Sequence, residues 1–141
     1  NNTSFDYSSI NNKDTVDFSI QVAIDCPILE VSSTLPVLRP CFDNLPYRVS
    51  WCNNGTAVAE NAYLEVVLDS AISPISSTLP WTTQHGDTLI FDLGNIAPTE
   101  CGNFSMKLML DCDATLGSTY CVETHIYPDS LCLPPSIPWT Y

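Results

Sequence analysis

Residues 47–69 read YRVSWCNNGTAVAENAYLEVVLD. Tyr47, Val49 and Trp51 alternate with Arg48, Ser50 and Cys52, and further on Ala62, Leu64, Val66 and Leu68 alternate with Tyr63, Glu65 and Val67. A period of two gives each segment one apolar face, the mark of a half-buried strand. Between them, Asn53-Asn54-Gly55 tolerates positive φ at low cost and marks the reversal, although the polar stretch through Asn61 is longer than a minimal hairpin loop. The expectation is a central strand pair with the other strands laid beside it.

Toward the N-terminus, Val16, Phe18, Ile20, Val22 and Ile24 alternate with Asp17, Ser19, Gln21, Ala23 and Asp25, the cleanest strand pattern in the chain. Residues 1–13, rich in Asn and Ser, read as a polar strap. A short strand is expected at 28–33, then a connection punctuated by Pro36, Pro40 and Pro46. Toward the C-terminus, 70–87 reads as a long loop carrying Pro74 and Pro80, and Leu89, Phe91 and Leu93 mark the next strand. After a turn at 98–102, Phe104, Met106, Leu108 and Leu110 alternate up to Cys112. The segment DATLGST at 113–119 is expected to close a hairpin whose return strand holds Tyr120, Val122, Thr124 and Ile126. The tail, PDSLCLPPSIPWTY, has too many prolines for an inner strand. With no helical period and about seven short strands, the chain reads as all-β, an antiparallel β-sandwich. The division is a strap and candidate donor strand at 1–26, then a sandwich with a Pro-rich tail at 27–141.

Sixteen acidic residues against four basic ones give a formal charge of −12. Lys13, Arg39, Arg48 and Lys107 alone cannot neutralise a phosphate backbone or an anionic bilayer, which argues against nucleic acid and membranes as partners. No apolar run is long enough to span a bilayer, so membrane insertion is not expected. The N-terminus, NNTSFDYSSI, lacks the basic start and apolar centre of a signal peptide, so an exported chain would be the mature form or a fragment. Seven cysteines, at 26, 41, 52, 101, 112, 121 and 132, form no CxxC and no zinc-finger spacing. They are expected to be disulfides of an oxidising compartment. Because the count is odd, one thiol stays free or bonds to another chain; on the order of a hundred pairings remain open.

FSIQVAIDC at 18–26 lines up with FSMKLMLDC at 104–112, with equal face parity and shared Phe-Ser and Asp-Cys ends. Two amphipathic strands share part of this pattern by chance.

The run Tyr47-Arg48-Val49-Ser50-Trp51-Cys52-Asn53-Asn54-Gly55-Thr56, with Ala57, Ala59 and Asn61-Ala62, resembles the strand, Asn-x-Gly-Thr turn and following strand of a known family. Leu93-Gly94-Asn95-Ile96-Ala97-Pro98 is similar to the segment before that family's next long strand. The family is the conserved Ig-like domain repeated in tandem in large secreted bacterial surface proteins, in its Cys-rich Bacteroidetes form. The resemblance spans roughly residues 28–127 and implies an Ig-like sandwich with an extracellular structural or adhesive role, and no catalytic residues. The dense cysteines and the lack of flanking repeats depart from its commonest pattern. In such repeats a final strand, often opened by Asn-Asn, completes one sheet. Here Asn11-Asn12-Lys13-Asp14-Thr15-Val16, at the other end of the chain, resembles its start. The N-terminal strand Val16–Ile24 is therefore expected to complete an open sheet edge, either its own or that of a neighbouring chain.

His85 and His125, with the many serines, allow a Ser/His/Asp site to be imagined, but no G-x-S-x-G is present and an enzyme is not expected. Asp111 and Asp113, with Asp69 or Asp129, are acidic loop residues of the kind calcium uses, but without EF-hand spacing no metal is assigned, and no cofactor motif occurs. Trp51 belongs to a core face. Trp81 and Trp139 lie beside prolines, where an aromatic either plugs the fold or stacks on surface glycans. N-x-S/T sequons begin at Asn1, Asn2, Asn54 and Asn103. The family resemblance adds candidate O-glycosylation at Thr15, Ser70, Thr88 and Ser130. The sequence thus points to a structural subunit of an extracellular filament that polymerises with itself, or with neighbouring repeats, through Val16–Ile24. The alternative is a monomeric surface adhesin or carbohydrate-binding module using Trp81 or Trp139.

Overall fold

The apolar faces found by alternation meet in two layers. In the computed structural model, which describes residues 25–129, Cys132 and the backbone of Trp139 and Thr140, the strands are β1 (Leu29–Thr34), β2 (Leu45–Asn53), β3 (Ala59–Leu68), β4 (Ile72–Ser77), β5 (Thr83–His85), β6 (Thr88–Ile96), β7 (Cys101–Leu110), β8 (Val122–Tyr127) and β9 (Trp139–Thr140). One sheet runs β1-β2-β7-β4 and the other β5-β6-β3-β8-β9, all pairs antiparallel. Tyr47, Val49, Phe104, Met106 and Leu108 on the first sheet face Leu64, Val66, Leu89, Phe91 and Ile126 on the second, and all are buried. The fold is an all-β sandwich.

The central segment differs from its reading in one respect. β2 and β3 are strands, but they do not pair with each other: β2 lies between β1 and β7, and β3 between β6 and β8. The long polar stretch between them is an arch that carries the chain from one sheet to the other, since both strands need their apolar faces on the same core. Gly55 serves this arch by having no side chain. A Cβ there would lie 2.1 Å from the Cys26 carbonyl oxygen and 2.4 Å from the Ile28 nitrogen. The positive φ falls instead on Asn61 (φ 50°), beside the bulge where Ala62 meets Gly94 (φ 68°).

Asn53 fixes the arch. Its side chain is fully buried; Oδ1 accepts from Ile28 N–H (3.1 Å) and Gly55 N–H (3.0 Å), while Nδ2 donates to the carbonyls of Ala57 (2.8 Å) and Ile96 (3.0 Å). The region 113–119 likewise closes no hairpin, because β7 and β8 belong to different sheets. The return strand starts at Val122, with Tyr120 in the loop before it. The stretch 70–87, expected as loop, contains β4 and β5. Pro74 is accommodated because β4 is an edge strand with a register shift between Pro74 and Ser76.

The strand directions define two poles. The upper one holds the β1–β2 connection, the β7–β8 loop and the start of β8; Pro40 bridges Leu110 and Cys41 N–H donates to the Leu110 carbonyl. The lower one holds the arch and the turn before Cys101, where Asn53 N–H donates to the Glu100 carbonyl and Thr99 N–H to the Asn53 carbonyl.

Three disulfides close the fold: Cys26–Cys132 at the lower pole, Cys41–Cys112 at the upper pole, and Cys52–Cys101 between directly opposed residues of β2 and β7. Cys121 is the remaining thiol, and it is exposed. Three disulfides mark an oxidising, extracellular or secreted environment.

Candidate functional site

β8 is the strand that a completing partner would meet. Val122, Thr124 and Ile126 point into the core opposite Leu68, Val66 and Leu64 of β3. Its other edge, among the described residues, pairs only with the two residues of β9, Thr140 opposite Thr124 and Trp139 opposite His125. That position suits a Pro-rich tail, which reaches an edge but cannot form an inner strand. The expected donor strand at Val16, Phe18, Ile20, Val22 and Ile24 lies outside the described residues, as do Thr15 and Ser130.

The seam between β1 and β8 is spanned from within by Tyr47. Its hydroxyl hydrogen-bonds the Thr124 hydroxyl of the opposite sheet, and Ser33 of β1 bonds it too. Three polar groups thus satisfy one another in the core, as buried hydroxyls must. Burial raises the Tyr47 pKa above its ordinary 10.0, opposed by the two hydroxyl hydrogen bonds. Above pH 10 the unfolded tyrosine loses its proton while the folded one keeps it, so this contribution to stability is complete below pH 10 and is lost as pH rises through the folded pKa. The predicted result is a melting temperature that falls on titration above about pH 10, with a shallower fall in Tyr47→Phe. At neutral pH that variant, leaving Thr124 and Ser33 short of a partner, melts lower by about 1–2 kcal/mol of stability.

On the outer face of the same sheet, the rings of Tyr63 and Tyr127 stack at 4.8 Å, and His125 lies 4.1 Å from Tyr127. His125 is buried, with Nε2 2.8 Å from Asp129 Oδ1. The Tyr127 pKa is raised, first by burial and then by the negative charges of Glu65 and Asp129 and the neighbouring Tyr63. Sequence alone gave no hint of this cluster, because its members are adjacent only through the β3–β8 register. The Tyr47–Thr124 bridge did leave a signal: a Tyr and a Thr at core-facing positions of alternating strands, each with a hydroxyl needing a partner.

The structure separates the other candidates. His85 is exposed on β5, with β6 and β3 between it and β8 in the sheet order. Asp69 Oδ1 accepts from Ala71 N–H at 3.0 Å and Asp111 Oδ1 from Asp113 N–H at 3.3 Å, so both cap their own turns. Among the described residues no group of three or more His, Cys, Asp or Glu could hold a metal ion. Trp51 lies over Gly102 and tilts against Phe104, as a core-face residue does. Trp81 is half-buried, edge-on to Phe91 at 6.5 Å, and packed on the core, so packing accounts for its position. Trp139 is placed only by its backbone on the β8 edge. Ser70 is exposed just after β3, whereas Thr88 is half-buried in the ladder opposite Val67. Asn54 bonds Glu30 Oε2 at 2.7 Å. No helix is long and apolar enough to cross a membrane among the described residues.

No family model matches the sequence, and no curated protein matches it. Among solved structures, a GH20 exo β-N-acetylglucosaminidase from Vibrio harveyi, in complex with N-acetylglucosamine, aligns with 70% of this chain at 15% identity and a TM-score of 0.49. The chain spans 15% of that protein's length. The likeness is partial and assigns no family.

Proposed function

We propose that this chain is a structural subunit or repeat of an extracellular filament, assembled by donating residues 16–24 to the β8 edge of a neighbouring copy. The observation that carries this is the β8 edge: among the described residues only β9's two residues pair there, while the sequence of 16–24 has the apolar alternation and length to continue that sheet. Main-chain hydrogen bonds along such an edge supply affinity, and alternate side chains entering the core supply specificity. The matching segment at 104–112 supports the reading, because its Phe104, Met106, Leu108 and Leu110 are all core residues of β7. The likeness of the 47–62 and 93–98 segments to the Ig-like repeats of secreted bacterial surface proteins supports it further. In those proteins a final strand, often opened by Asn-Asn, completes one sheet. Glycans at Ser70, which is exposed, fit a surface protein.

The test is light scattering of the intact, non-reduced chain beside Ile20→Pro. Proline removes an N–H from the donated strand and clashes with ladder geometry. Large species in the unmodified chain and monomers in the variant are expected. A monomeric unmodified chain, or assembly indifferent to Ile20→Pro, would overturn the proposal.

A further inference from the structure

We infer that the copies join head to tail, the donated strand running antiparallel to the acceptor's β8 and the donor's lower pole seating on the acceptor's upper pole. This rests on the strand-donation reading above and adds its direction and contact surface.

Cys26 is pinned to the lower pole. Its carbonyl accepts from Thr56 N–H (2.9 Å) and Ala57 N–H (3.3 Å), its N–H donates to Thr56 Oγ1 (3.1 Å), and its sulfur is bonded to Cys132. Ala57 lies just before β3, whose far end, Leu68, pairs with Val122 at the start of β8. From Ala57 to Leu68 an extended chain rises roughly 35 Å. A strand antiparallel to its own β8 would have to end beside Val122, leaving that distance to be covered between Ile24 and Cys26. Two residues reach about 7 Å. Residues 16–24, if they lie antiparallel to β8 in place of the two residues of β9, therefore come from another chain.

Folding back on β1 is disfavoured locally. Residues 26–28 already extend the line of β1 along the arch: the Ile28 carbonyl accepts from Asn54 N–H (2.7 Å), and Ile28 N–H donates to Asn53 Oδ1 (3.1 Å). The intervening outward position is Pro27, which has no N–H to offer, and a reversal would fall on Ile24-Asp25, without the Gly or Asn that tight turns use.

An antiparallel donor leaves the acceptor at its upper pole, next to Cys121. The donor's lower pole then arrives there, at a surface that exposes three large apolar side chains among polar ones. Val37 is 85% exposed, Phe42 44% and Leu116 83%, all in the upper connections. Leu38, Leu116 and Tyr120 border a groove of about 360 Å³ beside them. The arch at the donor's lower pole carries its own exposed apolar residue, Val58. A second copy covers both surfaces at once.

Cys121 is a native reporter, since a bismaleimide reacts with free thiols and leaves disulfides intact. Ala23 and Thr15 share the outward parity of the donor strand, near its two ends. In the full chain, Ala23→Cys should give a ladder of crosslinked oligomers through Cys121 of the neighbour and Thr15→Cys should not; Leu116→Asp should weaken assembly at least tenfold with an unchanged melting temperature. Ladders from Thr15→Cys but not Ala23→Cys would reverse the polarity and overturn this inference while strand donation stands. The same holds if neither variant gives ladders and assembly still depends on Ile20. A crosslink within one chain from Thr15→Cys, with assembly indifferent to Ile20→Pro, would mean a parallel strand on its own β8 and remove both. Unimpaired assembly of Leu116→Asp would remove the pole-to-pole contact.

Discussion

Asn53→Ala is expected to unfold the domain or bring it to the edge of unfolding. The substitution strips partners from two backbone N–H groups, of Ile28 and Gly55, and two carbonyls, of Ala57 and Ile96, within a region where Asn53 itself is fully buried. Each orphaned group costs about 1–3 kcal/mol, so the sum is on the order of 5 kcal/mol even with partial relaxation. A domain of this size is stable by only about 5–15 kcal/mol. Denaturant titration should show a midpoint shifted far below that of the unmodified protein. Asn53→Asp keeps the two acceptor contacts but sets a buried carboxylate oxygen against the Ala57 and Ile96 carbonyls, so at neutral pH it should be at least as damaging. A change under about 1 kcal/mol for Asn53→Ala would mean that the arch is held by Cys26–Cys132 and packing rather than by this side chain.

The second large effect is on assembly, and it should alternate along residues 16–24. If Val16, Phe18, Ile20, Val22 and Ile24 enter a neighbour's core, truncating each to Ala removes about 1.5–3 kcal/mol of burial, or roughly a ten- to hundredfold loss of subunit affinity. Asp17, Ser19 and Gln21 on the opposite face should change it less than about threefold. The critical concentration of each full-length variant, read by sedimentation, reports this directly. A strand folded onto its own domain gives the same alternation in melting temperature but none in dissociation. Equal effects on both faces would contradict docking into a sheet.

What the sequence makes legible is the face of each strand. Period two places Tyr47, Leu64, Phe91, Met106 and Ile126 in the core, and the structure buries them all. It does not reveal which strands are neighbours, because an apolar face demands a core and not a particular hydrogen-bonding partner. Hence both expected hairpins are crossings between sheets, for in a sandwich two consecutive strands bury their faces equally well from opposite layers. β4 escaped notice because Pro74 signals loop, and only the bulge at an edge makes it tolerable. The disulfides are pairings of position: Cys26 and Cys132 meet because β1 begins, and the chain after β8 continues, at one pole. The β8 edge was legible only indirectly, as a sheet strand missing after the last alternating segment. The Tyr63–Tyr127 stack and the Asn53 hub are products of register and of the arch, which no local pattern encodes.

Electron cryomicroscopy of the heaviest species formed by the intact chain tests strand donation most directly. Continuous density is expected for residues 16–24 beside β8 of a neighbouring copy, antiparallel to it, with Val16, Phe18, Ile20, Val22 and Ile24 turned into that neighbour's core. Density joining the same residues to β8 or β1 of their own chain would contradict it.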